Sequence, residues 1–198
     1  TDSFPLLAVP FFVLAGALMN AGGITRRLVS FANLLVGHVR SGLALVNVVA
    51  SMFFAGVTGA AVADTSAIGS VLIPAMNEEG YDLDFSAAIT AASSTMGPII
   101  PPSIPMIIYG VSAEQSIGAL FLAGIIPGLL IGLALMAVAY FSRRQSRSRA
   151  EIDREAASWR ERLAGVKDAL LALFMPAFIL GGILAGIFTP TEAAAVSV

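Results

Sequence analysis

Hydroxyl side chains and prolines are concentrated in one apolar segment, TAASSTMGPIIPPSIPMIIYG, at residues 90–110. Ser93, Ser94 and Thr95 stand directly before a set of four prolines, Pro98, Pro101, Pro102 and Pro105. A proline inside a helix removes a backbone hydrogen bond and clashes with the preceding turn, so this segment cannot form one continuous helix. The carbonyl and amide groups freed at such a break bind small ions, and hydroxyl oxygens suit a hard cation such as sodium.

A second group of small residues lies in the middle of residues 43–76, in the sequence FFAGVTGAAVADTSAIG. This stretch has 34 residues and one charge, Asp64. It is too long for one membrane span and too short for two spans of about 20 residues each. The pattern predicts a re-entrant helical hairpin that turns at the small residues in the middle, Gly56, Thr58, Gly59 and Ala60.

The composition indicates an integral membrane protein. The 198 residues are 57% hydrophobic and 12% charged, whereas a soluble domain is about 45–50% apolar and about 25% charged. There is no cysteine and one histidine, His38. These counts exclude a disulfide framework, a thiolate metal site and a multi-histidine metal cluster.

The two interrupted segments must be held by the surrounding helices. The sequence predicts, in chain order, a span at 4–21, an interfacial helix at 24–40, the hairpin at 43–76, half-helices at 85–96 and 104–110 joined by extended backbone at 97–102, a loop at 112–116, a stretch at 117–141 that Pro127 and Gly128 divide into an interfacial piece and a span, a charged cytoplasmic helix at 143–167 anchored by Trp159, a span at 169–188 and a further helix from Thr191.

The positive charges support this topology. Membrane proteins concentrate arginine in cytoplasmic loops. A re-entrant hairpin leaves two crossings between the basic clusters and places both in the cytoplasm, whereas a full crossing at 43–76 would put them on opposite sides. The clusters are Arg26, Arg27 and Arg40, and Arg143, Arg144, Arg147 and Arg149. Beside a membrane span these charges indicate topology, and we expect no nucleic-acid partner.

Backbone breaks at membrane depth imply a polar interior. Each unpaired backbone group in hydrocarbon costs several kcal/mol, so such backbone lies buried in protein or lines a polar cavity. Two breaks close together are typical of the substrate and ion sites of secondary transporters. The hydroxyls of residues 93–95 could instead serve helix packing. Asp64 could be a functional carboxylate or a hydrated charge near the turn, and Asn47 suits a hydrogen bond between helices.

Four motifs resemble the large membrane subunit of tripartite ATP-independent periplasmic (TRAP) transporters. They are SMFFAGVTGAAVADTSAIGSVLIPAM (51–76), AASSTMGPIIPPSIPMIIYG (91–110), SIGALFLAGIIPGLL (116–130) and GIFTPTEAAAVSV (186–198). The resemblance implies an all-α membrane fold with a re-entrant hairpin and a discontinuous helix, forming the first half of an inverted repeat. It also implies an elevator-type mechanism, and it identifies this chain as a fragment whose second hairpin and broken helix follow Val198.

The same resemblance implies a sodium-coupled importer of organic acids, such as C4-dicarboxylates, 2-oxo acids or sialic acid, in the bacterial inner membrane. Its partners would be a small membrane subunit, a periplasmic substrate-binding protein and the lipid bilayer. Sodium would be the coupling ion, with no other metal or cofactor, and the protein would not be an enzyme.

The resemblance also assigns site residues. It implies sodium binding by Gly56, Thr58, Gly59, Ser94, Thr95 and Gly97, and substrate binding by Ala60, Asp64, Thr65, Pro101, Pro102 and Ser103. The hairpin tip of the family commonly reads Ser-Gly-Ser, whereas this chain has Thr58-Gly59-Ala60. The loss of the third hydroxyl would weaken binding only if that side chain, and not the backbone, is the ligand.

The sequence predicts five regions with distinct roles. These are a scaffold of span and arm helix at 1–42, a transport domain at 43–111, a loop and membrane helix at 112–142, a cytoplasmic amphipathic segment at 143–168, and a membrane helix with the start of the second repeat at 169–198. Three other functions stay open: a stand-alone sodium-coupled carrier for citrate, dicarboxylate or arsenite, a non-transporting assembly subunit, and an intramembrane enzyme that uses Asp64. The enzyme lacks a second intramembrane acid, a cysteine or a usable histidine as a partner.

Overall fold

The computed structural model describes residues 4–39, 41–142 and 174–198, and within these ranges the regular structure is helical. After a 3-10 turn at Phe4–Leu7, the helices are α1 (Ala8–Ala21), α2 (Ile24–Val36), α3 (Gly42–Thr58), α4 (Ala61–Glu78), α5 (Leu83–Ser94), α6 (Ile104–Ser112), α7 (Ile117–Phe141), the described part of α8 (Phe174–Leu184) and α9 (Pro190–Val196). The all-α fold predicted from the sequence is confirmed.

Helix α3 lies at the centre of the structure. It packs against α1, α2, α4, α5 and α7. All of its residues except Met52 and Phe53 are buried, as expected for a helix that is apolar around its whole circumference. Helix α3 is the first helix of the hairpin, and it also packs against α5, the first half of the broken helix.

Helices α3 and α4 form the two arms of the predicted helical hairpin. The turn is tighter than expected, because α3 continues through Gly56 to Thr58 and only Gly59 and Ala60 connect the two helices. Gly59 has a φ of 61°, a left-handed conformation that commonly ends a helix and that glycine adopts without steric cost. The re-entry of this hairpin into the membrane stays a prediction.

The predicted break in the proline-rich segment is also present. Helix α5 ends at Ser94 and α6 begins at Ile104. The extended backbone predicted for 97–102 is wrong: the connection consists of turns and bends, since the Ile99 and Ile100 N–H groups both donate to the Met96 carbonyl. The Ser103 hydroxyl accepts a hydrogen bond from the Met106 N–H at 3.3 Å, which caps the new helix. The peptide bond between Pro101 and Pro102 is cis. The prolines thus end one helix and allow a second to begin.

The predicted division of 117–141 at Pro127 and Gly128 is wrong, because α7 is continuous over its 25 residues. Pro127 lies on the exposed side of the helix. Gly128 faces inward, and a Cβ atom added there would lie 2.5 Å from Cγ1 of Ile100. The glycines of α7 therefore allow close packing and do not mark a break. The buried glycines, spaced by four, are Gly124, Gly128 and Gly132.

Helices α1 and α2 meet at a bend of 71°, at the Gly22–Gly23 pair where the sequence predicts the end of the first span. Leu28 and Ala32 of α2 are buried, and Arg26 and Arg27 are exposed. This amphipathic pattern agrees with the predicted interfacial helix. Within the described ranges, α7 is the one single helix long and apolar enough to cross a membrane, and the bent pair passes the same test together.

The C-terminal part of the chain is described from residue 174. The predicted charged helix with Trp159 lies outside the described residues, as does the first part of the predicted span at 169–188. Helix α8 ends at Leu184, before Gly186 with its φ of 70°. Helix α9 begins at Pro190 with a capping box between Thr189 and Glu192, and it packs against α1.

The packing of α7 predicts different outcomes for two glycine-to-alanine changes. In Gly124→Ala the new methyl group would overlap the Ile99 carbonyl oxygen and lie 2.6 Å from Met106 Cε. We expect it to lower stability by about 1–3 kcal/mol through overpacking. Gly118→Ala is the matched control, since its nearest neighbour, Ile183 Cγ2, would be 3.5 Å away. Thermal unfolding of the full-length protein in detergent measures both, and equal midpoints would contradict the packing.

Candidate functional site

The turn of the hairpin and the loop of the broken helix are in direct contact. The Ile104 N–H donates a hydrogen bond to the Gly59 carbonyl oxygen at 3.4 Å. A Cβ atom at Gly59 would overlap the Pro102 carbonyl oxygen and lie 3.1 Å from the Cα of Ser103. The backbone of the turn therefore lies directly against the backbone of the loop. Only glycine allows this approach.

The other end of the loop makes a similar contact. A Cβ atom at Gly97 would lie 3.0 Å from the carbonyl carbon of Ala60 and 3.0 Å from the nitrogen of Ala61. One added at Gly56 would lie 3.7 Å from the Pro101 carbonyl oxygen. The loop of the broken helix thus contacts the hairpin from the last turn of α3 to the first residue of α4. We call this contact region, residues 56–61 and 97–104, the junction.

The structure brings four of the six expected sodium-binding residues to the junction: Gly56, Thr58, Gly59 and Gly97. Ser94 is fully buried and interacts instead with Asp64. Thr95 is exposed, and its hydroxyl donates to the Ala92 carbonyl at 2.7 Å. The residues expected to bind sodium therefore lie in three places: at the junction, beside Asp64 and on the surface. The role of each residue in binding sodium stays a prediction.

The expected substrate-binding residues are divided as well. Ala60, Pro101, Pro102 and Ser103 belong to the junction, where Ser103 is fully buried and its hydroxyl donates to the Pro98 carbonyl at 2.6 Å. Two further residues lie on α4. Thr65 is exposed and its hydroxyl donates to the Ala61 carbonyl at 3.0 Å.

Asp64, in contrast, points into the protein. It lies in the first turn of α4 and has 0% exposure. Neither carboxylate oxygen has a hydrogen-bond partner in the described part of the chain, although the hydroxyls of Ser94 and Ser51 interact with the carboxylate. The Ser51 hydroxyl likewise has no hydrogen-bond partner among the described residues. The sequence analysis did not identify Ser51, because nothing in its local sequence indicates a neighbour on another helix.

A buried hydrogen-bond network ties the broken helix to the hairpin. The Asn47 side-chain amide donates to the Thr90 hydroxyl at 2.7 Å, and the Asn47 side-chain oxygen accepts from the Ser93 hydroxyl at 3.1 Å. All three side chains have 0% exposure, so losing a partner would leave a buried polar group unpaired. The predicted hydrogen bond of Asn47 between helices is confirmed, and the network holds α5 in place beside α3.

The junction combines the groups that a small ion needs. Helix α3 ends there and helices α4 and α6 begin there, so backbone groups without partners in their own helix are brought together. Backbone carbonyls are hard, neutral oxygen ligands, as is the Thr58 hydroxyl, whose hydrogen is donated to the Phe54 carbonyl at 3.3 Å. The dipole of α6, which begins at Ile104, favours an anion. Apolar helices that break opposite one another in this way are typical of secondary transporters.

The family comparison agrees with this class of protein. Residues 1–198 match the family described as the tripartite ATP-independent periplasmic transporter, DctM component. The match covers the whole chain, so the chain belongs to this family of membrane transporter permeases, as the resemblance in its motifs predicts.

Several curated relatives are similar along nearly the whole chain. The sialic acid TRAP transporter large permease SiaM of Vibrio cholerae is 51% identical over 196 residues, which cover 99% of this chain and 45% of the relative. The isethionate TRAP transporter permease DctMQ of Oleidesulfovibrio alaskensis is 49% identical, with 99% and 31% covered. The C4-dicarboxylate TRAP transporter large permease DctM of Pseudomonas aeruginosa is 47% identical, with 100% and 45% covered. The chain thus spans less than half the length of these relatives, whose names describe transport and not catalysis.

The junction predicts that Gly59 and Gly23 respond differently to substitution by alanine. Both have positive φ, 61° and 80°, so both variants carry a backbone strain of roughly 1–2 kcal/mol. Gly23 has no atom within 4 Å of an added Cβ, whereas Gly59 would also clash with Pro102. We expect Gly59→Ala to cost about 1–3 kcal/mol more than Gly23→Ala, because the two breaks must separate. Thermal unfolding of the full-length protein tests this, and equal losses would contradict the close approach.

Proposed function

We propose that this chain is the part of a TRAP permease that forms one half of a sodium-dependent organic-acid site. The observation that carries the proposal is the contact of the Gly59 turn with the Pro102 loop. At membrane depth such interrupted backbone is stable only when protein or bound ions satisfy it. A transporter site fits this arrangement, whereas an assembly subunit would have no need of two facing breaks.

Sodium is the ion that suits the junction. Its groups are neutral, namely the backbone at Gly56, Gly59 and Gly97 and the hydroxyl of Thr58, and they provide oxygen but no sulfur or imidazole. Hard cations favour such oxygen ligands. We include Thr95 among the candidate ligands on the sequence pattern, although its exposed hydroxyl lies outside this group. A bound cation would hold the turn and the loop together, so cation binding and site formation would be coupled.

The substrate we propose is a small organic acid. The names of the relatives mention sialic acid, isethionate, C4-dicarboxylate and 2,3-diketo-L-gulonate, which are all anions at neutral pH. The positive end of the α6 helix dipole lies beside Pro101, Pro102 and Ser103 and favours such an anion. The Ile104 and Met106 N–H groups themselves already donate, to the Gly59 carbonyl and the Ser103 hydroxyl. Ala60 and the exposed Thr65 would complete this half of the surface.

The family name also indicates which partners we propose. A tripartite periplasmic transporter implies a small membrane subunit and a soluble periplasmic binding protein, with the permease in the inner membrane. We propose that the hairpin and the broken helix move together, as an elevator-type mechanism requires, because Asn47 and the junction join them. The alternative is a stand-alone sodium-coupled carrier, which would need no binding protein.

Uptake into proteoliposomes tests this function. The full-length permease and its small subunit are reconstituted, and labelled sialic acid, isethionate and a C4-dicarboxylate are offered with the corresponding binding protein. We expect uptake of one acid to need both an inward sodium gradient and the binding protein. A potassium gradient is the control for membrane potential and ionic strength.

The other outcomes have definite meanings. Uptake that needs sodium but no binding protein would favour the stand-alone carrier. Uptake that is independent of sodium would contradict the proposed coupling. Gly59→Ala should lower uptake at least about tenfold while Gly23→Ala retains most of it, since only the first change separates the two breaks.

A further inference from the structure

Asp64 is the most unusual polar group in the described structure. It has 0% exposure, and neither of its oxygens has a hydrogen-bond partner within residues 4–39, 41–142 and 174–198. A buried, unpaired carboxylate is strongly unfavourable, because the protein interior cannot replace its hydration. Its position at the start of α4 offsets part of this cost through the helix dipole, but the dipole effect is several times smaller than the cost of burial.

Three helices bring oxygen atoms to this carboxylate. Ser51 of α3 and Ser94 of α5 interact with Asp64 of α4, and both serines have 0% exposure. The Ser94 hydroxyl donates its hydrogen to the Thr90 carbonyl at 2.8 Å, so its lone pairs remain available. The Ser51 oxygen has no hydrogen-bond partner in the described part of the chain. The Asp64 carboxylate and the hydroxyls of Ser51 and Ser94 therefore lie in one buried region, with oxygen atoms that form no hydrogen bond to each other among the described residues.

The burial of Asp64 limits what could neutralise it. In the described part of the chain Asp64 has no exposed surface for a further side chain to approach, whereas a small ion can be enclosed. One carboxylate and two neutral hydroxyls balance a single positive charge and provide hard oxygen ligands. We propose that Asp64, Ser51 and Ser94 bind a monovalent cation, sodium, at a site separate from the junction.

This site has a structural consequence for both breaks. Asp64 lies four residues after Ala60, and Ser94 is the last residue of α5. A cation held between them would fix the start of α4 to the end of α5 and to α3. Asp64 would then act on the cation and not on the anionic substrate, in contrast to the role that the resemblance implied. The inference relies on the proposed function only for the choice of sodium over other monovalent cations.

The test is the sodium dependence of thermal unfolding of the full-length permease with its small subunit. Sodium chloride is titrated against choline chloride at constant ionic strength for wild type, Asp64→Asn, Ser51→Ala and Ser86→Ala. Ser86 is the matched control, because it is a fully buried serine whose hydroxyl donates to the carbonyl of Asp82, the residue directly before its own helix. Binding to the folded state alone raises the unfolding temperature with sodium concentration.

We expect the order of stability to depend on sodium. In choline, Asp64→Asn should unfold at a higher temperature than wild type, because it removes the unbalanced charge. In saturating sodium this advantage should vanish or reverse. Ser51→Ala, which keeps the charge and loses one ligand, should raise the sodium midpoint at least about fivefold, and Ser86→Ala should leave it unchanged.

Two results would overturn the site. The first is an Asp64→Asn variant whose change in unfolding temperature is the same in sodium and in choline, with a Ser51→Ala midpoint equal to wild type. The second is a difference that follows pH and not sodium, which would identify a proton as the partner. Because unfolding is measured without substrate, a failure of sodium-driven uptake would contradict the proposed function and leave this result standing.

Discussion

The structure depends on the close approach of two backbone segments that both lie outside helices. The Gly59 turn lies against Pro102 and Ser103, and the Ile104 N–H donates to the Gly59 carbonyl. Because no side chain separates these segments, neither can move without the other or without breaking the contact. The turn of the hairpin and the loop of the broken helix are therefore joined by direct contact, which the proposed moving transport domain would need.

The helices around the junction hold the turn and the loop in contact. Helix α3 is buried almost throughout, so it fixes the position of the turn. Asn47 links α3 to α5 through Thr90 and Ser93, which fixes the start of the loop. The glycine face of α7 packs against Ile99 and Ile100 from the other side. Buried polar networks and small-residue packing are the two devices that position helices where the surrounding lipid is apolar.

Much of this arrangement could be predicted from the sequence because its causes are local. Proline cannot continue a helix and glycine readily ends one, so the breaks after Ser94 and at Gly59 follow from the residues themselves. The continuity of α7 could not be predicted, since Gly128 is explained by contact with Ile100, a residue distant in the sequence. The proximity of Asp64 and Ser51 could not be predicted for the same reason, since the two residues lie on different helices. Hydroxyl residues 93–95 looked like one group, but they face different surroundings.

The central claim is that the two breaks form one cation-dependent unit. The most direct measurement is hydrogen–deuterium exchange by mass spectrometry on the full-length permease with its small subunit, in sodium chloride and in choline chloride. The account predicts that sodium slows exchange in peptides covering 56–61 and 97–104 together, with one shared sodium midpoint, while peptides from α2 do not change. Protection of only one of the two segments, or of neither, would contradict it.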